Sequence, residues 1–298
     1  MALETIVAKI NTAKYTWVRD EPNDDDLSYL TQQALERSVY DPLNLREQMF
    51  NDLKAGKANL VCKVGLSPPA KILAVVYPET KIPWELFGRI FSGFGPSNTG
   101  TPWRVIWFAH PRKREFPTDL PTFGQKTNAT NQPLANTLNA SLHKVQSEAI
   151  QPVHINGGYA YACQPETIVI YREEEAARVL VHELLHAACT DDMKNPEELR
   201  EVLTESWAEI FLIAVVAKGS LTKAKALWRI QAQWIVDQET VLKEYGVLTP
   251  LNYAWRYTVG RRGILEGMGL RFPAPSPDPK FMLGGSLRFT SPSLSLDL

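Results

Sequence analysis

Two histidines, His182 and His186, stand one helical turn apart in the apolar stretch VLVHELLHAAC, which covers residues 179–189. The chain has only five histidines, and Glu183 directly follows the first of this pair. Burying imidazole and carboxylate groups among Val, Leu and Ala is unfavourable unless a partner satisfies them. Side chains four residues apart lie on one face of a helix. The pattern therefore predicts a buried helix whose two imidazoles bind one metal ion.

The spacing also suits hydrolysis at a zinc ion. A catalytic zinc takes His and carboxylate ligands and keeps one coordination position for water. Glu183 is expected to face that water, take its proton and deliver it to the leaving amine. The ordinary alternative, a surface helix with casual histidines, conflicts with the apolar residues that flank the pair. We therefore predict His182 and His186 as zinc ligands and Glu183 as the catalytic base.

A third protein ligand is expected on the helix that follows, in the segment LTESWAE at 203–209. The intervening turn is long enough for the chain to return along the first helix. Glu205 is the predicted third ligand. Glu209, one turn further on, is expected to accept a hydrogen bond from a ligand imidazole.

These motifs resemble those of the gluzincin zinc metallopeptidases over residues 160–215. That group carries His-Glu-x-x-His on one helix and a glutamate ligand on the next, often within Asn-Glu-x-x-Ala; here Thr204 replaces the Asn before Glu205. The Gly-x-Met-Glu-Asn motif of its aminopeptidases is absent, because GGYA at 157–160 carries no acid. The metzincin pattern would place a third histidine where Asp192 stands, and some related proteases use Asp there. Asp192 is therefore the rival third ligand.

The resemblance also implies features of a cleft. An oxyanion donor besides the metal is often a Tyr or His from a later helix, and NYAWRY at 252–257 offers Tyr253 and Tyr257, although ordinary packing is the alternative role. The strand-like run ETIVIYR at 166–172 is expected to form the cleft edge, where an extended substrate pairs with the backbone.

The periodicity predicts an α+β fold, with a small mixed sheet packed on a helical zinc-peptidase core. Short runs rich in Val, Ile and aromatic residues read as strands, at 59–64, 71–77 and 103–109. The predicted core holds the His-Glu-x-x-His helix, which begins at the acidic residues 173–175, and the glutamate-bearing helix after it. Three regions are expected. Residues 1–125 form an N-terminal α/β region, which is separate or part of the same domain, and residues 126–272 form a zincin-like catalytic region. Residues 273–298 form a Pro/Ser-rich extended tail outside the core.

Composition limits the partners and the cellular location expected for this chain. A net charge of −1 gives no global attraction to nucleic acid or to an anionic membrane, and no apolar run reaches the length of a membrane span. Three cysteines are an odd, low count that argues against a disulfide-stapled secreted domain. Cys189, three residues after His186, is expected to be a small buried residue and not a ligand or nucleophile. No signal peptide is recognised at the N-terminus, and a cytoplasmic or otherwise intracellular location is expected.

The leading hypothesis is a zinc-dependent metallopeptidase, a hydrolase that binds Zn²⁺ and acts on a peptide or protein substrate. Two alternatives stay open: a non-catalytic structural or interaction protein that retains the metal site, and a zinc hydrolase of a non-peptide amide. No nucleic-acid or membrane partner is expected. The tail at 273–298 is expected to be an inert extension, to dock on a partner or to lie across its own cleft.

Overall fold

A computed structural model describes residues 2–10, 14–117 and 150–294. It has a mixed α+β architecture, as predicted, built on an open six-stranded sheet. The boundary expected at residues 125 and 126 lies outside the described residues.

The sheet combines parallel and antiparallel pairs. In chain order its strands are β1 to β6, at Trp17–Arg19, Asn59–Leu66, Pro69–Val76, Trp103–Phe108, Gly158–Tyr159 and Ile168–Ile170. The spatial order is β1-β2-β3-β4-β6-β5. Strands β3, β4 and β6 are parallel, whereas β1 with β2, β2 with β3, and β5 with β6 are antiparallel. The short β5 therefore forms one edge of the sheet.

Helices cover both faces of this sheet. Within the described residues they are, in chain order, α1 to α11, at Ala2–Lys9, Asp24–Leu35, Leu45–Lys54, Trp84–Phe94, Pro152–Ile155, Ala176–Ala187, Glu197–Val216, Leu221–Glu244, Tyr253–Tyr257, Val259–Gly267 and Pro279–Leu283, and a 3₁₀ turn follows at Pro292–Leu294.

Alternate strand residues face two separate cores. Ile72 and Ala74 of β3 pack with α4, α6 and α7 on one face, while Leu73 and Val75 pack with α2 and α3 on the other. Successive side chains of a strand point to opposite faces, so a continuous apolar run is what a strand covered on both sides requires. The central strands are thus held rigidly beside α6 and α7, the two helices that carry the predicted site.

The C-terminal segment differs from the predicted extended tail. Residues 273–294 contain α11 and the 3₁₀ turn, and four of their apolar side chains are buried: Leu283, Leu287, Phe289 and Leu294. Side chains of α8 satisfy the irregular backbone, because Gln231 Nε2 donates to the carbonyl of Phe289 and Trp234 Nε1 to that of Arg288, at 2.8 and 2.9 Å. An irregular segment can be buried when its backbone groups are paired in this way. Its Pro- and Ser-rich composition did not predict this.

Helix α6 does not begin at the acidic residues 173–175, as we expected, because one of these acids binds the C-terminal segment instead. The helix begins at Ala176, and Glu175 precedes it in a left-handed conformation without capping it. The Glu175 carboxylate is fully buried and accepts hydrogen bonds from the amides of Phe289 and Thr290, at 3.0 and 2.7 Å. This acid therefore holds the C-terminal segment against the start of α6.

Two of the cysteines differ from expectation. Cys163 and Cys189 form a disulfide, and both residues are exposed, so Cys189 is not the small buried residue that we expected. Cys62, on β2, is free and buried. Structural disulfides persist mainly in oxidising compartments, so the cysteine count no longer supports an intracellular location. Among the described helices, none combines the length and hydropathy that crossing a bilayer requires.

Candidate metal centre

Helices α6 and α7 bring two imidazoles and one carboxylate together. The Nε2 atoms of His182 and His186 lie 3.0 Å apart. Glu201 Oε2, from α7, is 3.4 Å from the first of these atoms and 3.7 Å from the second. The three side chains are only 9, 12 and 17% exposed. They form a possible metal-binding site of three ligand atoms.

The spacing and the unsatisfied atoms fit a small divalent cation. Ligand atoms that bind zinc tetrahedrally at 2.0–2.1 Å are about 3.3 Å from one another, and the three observed separations bracket that value. Glu201 Oε2 is buried and has no hydrogen-bond partner among the residues that the structure describes. A cation bound between the three side chains would give this buried oxygen a partner.

The other nitrogen of each imidazole faces an acid. Glu205 Oε1 lies 2.9 Å from Nδ1 of His182, and Asp191 Oδ2 lies 2.7 Å from Nδ1 of His186. The Thr204 hydroxyl donates to the second oxygen of Asp191, at 3.2 Å. The contact of His186 with Asp191 is a hydrogen bond, which selects the tautomer whose Nε2 can bind metal and fixes the orientation of that ring. Nδ1 of His182 has no hydrogen-bond partner among the described residues, so Glu205 acts on that ring through its charge.

The candidate cluster contains Glu201 and not Glu205, the predicted third ligand. Glu201, Glu205 and Glu209 are spaced by four residues along one face of α7. Glu205 lies beside Nδ1 of His182, and Glu209, which we expected to accept a hydrogen bond from an imidazole, forms an ion pair with Arg261 at 2.9 Å. Asp192, the rival ligand, is exposed and lies outside the cluster.

A buried arginine stands behind Glu205. Arg178, on α6 one turn before His182, is fully buried and forms an ion pair with the Glu205 carboxylate. Burial raises the pKa of Glu205, but Arg178 and His182 outweigh it and hold the pKa at about 2. The pKa of Glu201 is likewise lowered, because the two imidazoles outweigh the effect of burial. Both acids are thus anionic at neutral pH.

The imidazoles balance these acids in the metal-free protein. Burial lowers the pKa of His182, but the Glu205 and Glu201 carboxylates outweigh it and hold the pKa well above its usual range. Burial acts in the same way on His186, and contacts with Asp191 and Glu201 raise its pKa to about 9. Metal binding requires neutral imidazole. A divalent cation would replace the protons that otherwise neutralise the site.

Glu183 lies beside the ligands and under the edge of the sheet. Its side chain is buried, and burial raises its pKa to about 7 against the opposing effect of the two imidazoles. A Cβ on Gly158 would lie 3.2 Å from Glu183 Oε1 and 2.5 Å from a methyl of Val179. Glycine is therefore needed for β5 to pass so close to α6. The strand at the cleft edge is β5, and not β6 within 166–172 as expected, because β6 is enclosed between β4 and β5.

One cavity of about 350 Å³ joins these groups. Six of the residues predicted for the site line it: His182, Glu183, His186, Glu205, Tyr253 and Tyr257. Glu209 and Asp192, also named from the sequence, do not. The wall includes further polar groups that were not predicted, among them Asn156, Arg178, Asp191 and Glu201. The spacing of the three glutamates on α7 was a signal that could have suggested Glu201.

The two tyrosines differ in their hydrogen bonds. The Tyr253 hydroxyl donates to Asn156 Oδ1 at 2.6 Å and lies 3.3 Å from the Tyr257 hydroxyl. The Tyr257 ring centroid is 6.3 Å from that of His182. A hydroxyl carries one proton, and that of Tyr253 is directed at Asn156. Tyr257 is therefore the better placed donor toward the metal centre.

Comparisons of the chain with protein-family models, with curated proteins and with solved structures found no match.

Proposed function

We propose that the chain is a zinc-dependent peptidase, a hydrolase that resembles the gluzincins in placing a glutamate ligand on the helix after His-Glu-x-x-His. The observation that carries this proposal is the convergence of His182, His186 and Glu201 beside Glu183 in one cavity. Two histidines and one glutamate with an open position are the ligand set of catalytic zinc in peptidases. Non-catalytic zinc sites are usually closed by a fourth protein ligand. Among the described residues only three ligands belong to the cluster.

Bound zinc would lower the pKa of a water molecule and polarise the scissile carbonyl. Glu183 would take a proton from the attacking water and return it to the leaving amine. Tyr257 would donate its hydroxyl proton to the developing oxyanion, while Asn156 holds the neighbouring Tyr253 in place. Burial of Glu183 strengthens each of these electrostatic contacts because it removes competing solvent.

A peptide is the substrate class that suits the cavity wall. Strand β5, Gly158–Tyr159, pairs with β6 on one side only among the described residues, so its other side can pair with an extended chain. Such a chain would pass directly over Glu183, since Gly158 leaves no side chain between them. Tyr161 and Met193 also line the cavity and are 46 and 67% exposed. They favour apolar side chains on the substrate.

The decisive experiment pairs Glu183→Gln with metal analysis and a broad library of quenched peptides. Wild type is expected to hold about one zinc per chain by the ligand count and to cleave members of the library. Glu183→Gln should keep the zinc and lose cleavage, because the amide cannot accept the proton. Glu21→Gln, at a site 84% exposed, is the matched control and should cleave like wild type.

Equal cleavage by Glu183→Gln and wild type would refute the mechanism. A wild-type protein that holds zinc but cleaves no peptide would refute the peptidase assignment. Parallel assay of non-peptide amides would then separate a different amidohydrolase from a metal site without catalysis.

A further inference from the structure

The disulfide closes around the backbone of a metal ligand. Cys189 lies just past the end of α6, three residues after His186, and Cys163 lies four residues after β5. The amides of both cysteines donate to the same acceptor, the carbonyl oxygen of His186, each at 3.0 Å. The disulfide therefore joins two segments that both hydrogen-bond to the backbone of His186, whose side chain is a proposed metal ligand.

The two joined segments each carry part of the site. Downstream of Cys189, Asp191 orients the His186 imidazole through the 2.7 Å contact with its Nδ1. Upstream of Cys163, Tyr161 and Ala162 line the cavity. The disulfide thus links the segment that carries Asp191, which orients His186, to the segment that forms one wall of the cavity.

Both cysteines adopt a left-handed backbone conformation. Cys163 and Cys189 have φ values of +64° and +62°, a region that non-glycine residues enter at a cost. Such conformations persist where surrounding contacts over-determine them. Here those contacts are the covalent bond and the shared carbonyl of His186.

We propose that the Cys163–Cys189 disulfide is a redox-sensitive clamp that positions His186, so that its reduction weakens metal binding. The proposal rests on the proposed metal site. Both cysteines are exposed, so a reductant can reach them. In a two-electron reduction by a trialkylphosphine and water, the S–S bond breaks, two thiols form, and phosphorus is oxidised to the phosphine oxide. A phosphine is preferred because a thiol reductant would itself bind zinc.

The test measures the Kd for Co²⁺ and Zn²⁺ by competition with a chromophoric chelator, starting from metal-depleted full chain. Loss of a group that orients a ligand weakens metal binding by about 10- to 100-fold, so the double variant Cys163→Ser/Cys189→Ser should bind about 10-fold more weakly or worse. Either single variant should match the double one, because each breaks the same bond. Cys62→Ala, which removes the buried free thiol of β2, should bind like wild type.

Reduction of folded wild type supplies the same comparison without a substitution. Phosphine treatment should raise its Kd to that of the double variant and leave the double variant unchanged, while circular dichroism checks that each sample is folded. If the clamp acts through Asp191, Asp191→Asn should weaken binding in wild type but add little in the double variant. This non-additivity separates positioning of His186 from a general loss of stability.

Two results would overturn different claims. Equal Kd values for oxidised wild type, reduced wild type and the double variant would refute the clamp while leaving the metal site in place. Absence of Co²⁺ and Zn²⁺ binding by oxidised wild type would instead refute the metal site on which the proposed function depends.

Discussion

Replacing Phe289 by alanine tests whether the C-terminal segment is part of the core that supports the metal site. Phe289 is only 4% exposed. Its ring packs against three buried guanidinium groups, those of Arg114, Arg178 and Arg261, at 4.8, 5.8 and 6.0 Å from the ring centroid. Truncation of Phe289 to alanine would leave a cavity and remove the apolar ring against which these three guanidinium groups pack.

The magnitude follows from the burial. Phe→Ala in a packed core lowers the free energy of unfolding by about 3–5 kcal/mol, which is a large part of the 5–15 kcal/mol typical of a whole protein. The matched control is Phe281→Ala in the same segment, where the side chain is 79% exposed. A surface substitution of this kind changes the free energy by about 0.5 kcal/mol or less.

Urea unfolding of both variants at equal zinc concentration provides the assay. Phe289→Ala should lower the unfolding midpoint with little change in the denaturant dependence of the free energy, and Phe281→Ala should leave the midpoint near that of wild type. Equal midpoints for the two variants would show that residues 273–294 contribute no core, and would restore the extended tail that the composition suggests.

Three further predictions concern the site itself. Glu205→Gln should weaken zinc binding by about 10- to 100-fold, as expected for loss of an acid beside a ligand imidazole, whereas Glu201→Gln should weaken it more; the reverse order in chelator competition would return Glu205 to the ligand position. Tyr257→Phe should lower kcat by about 10²-fold, the effect of removing one oxyanion donor, and leave the Kd for zinc unchanged; an unaltered kcat would exclude the hydroxyl from catalysis. The free energy of unfolding of metal-free protein should fall between pH 6.5 and 9, because the raised pKa of His186 contributes stability only while the imidazole is protonated. Urea titrations across that range would contradict this reasoning if stability were flat or rising.

Local pattern was sufficient to predict the buried helix that carries His182 and His186, and the mixed α+β class. The pair His182 and His186 has a fixed geometry within one helix, and apolar residues around it require burial. The continuous apolar runs of the central strands similarly indicate a sheet that is covered on both faces.

Features that depend on contacts between distant segments were not predictable in the same way. Choosing Glu201 over Glu205 requires the depth at which α7 crosses α6, because both glutamates share one helix face. The burial of Phe289 depends on partners in α8 and at Glu175 that precede it by more than 50 and 100 residues. The disulfide joins cysteines 26 residues apart, and spacing alone does not encode their proximity.

The proposed metal centre is tested most directly by anomalous scattering at the zinc absorption edge, on crystals of the full chain grown with zinc. We expect one strong peak at about 2.0–2.2 Å from Nε2 of His182, Nε2 of His186 and a carboxylate oxygen of Glu201, with an open side toward Glu183. A peak bonded to Glu205 instead of Glu201 would contradict the assigned ligand set. A map without a peak between the two imidazoles would contradict the metal centre itself.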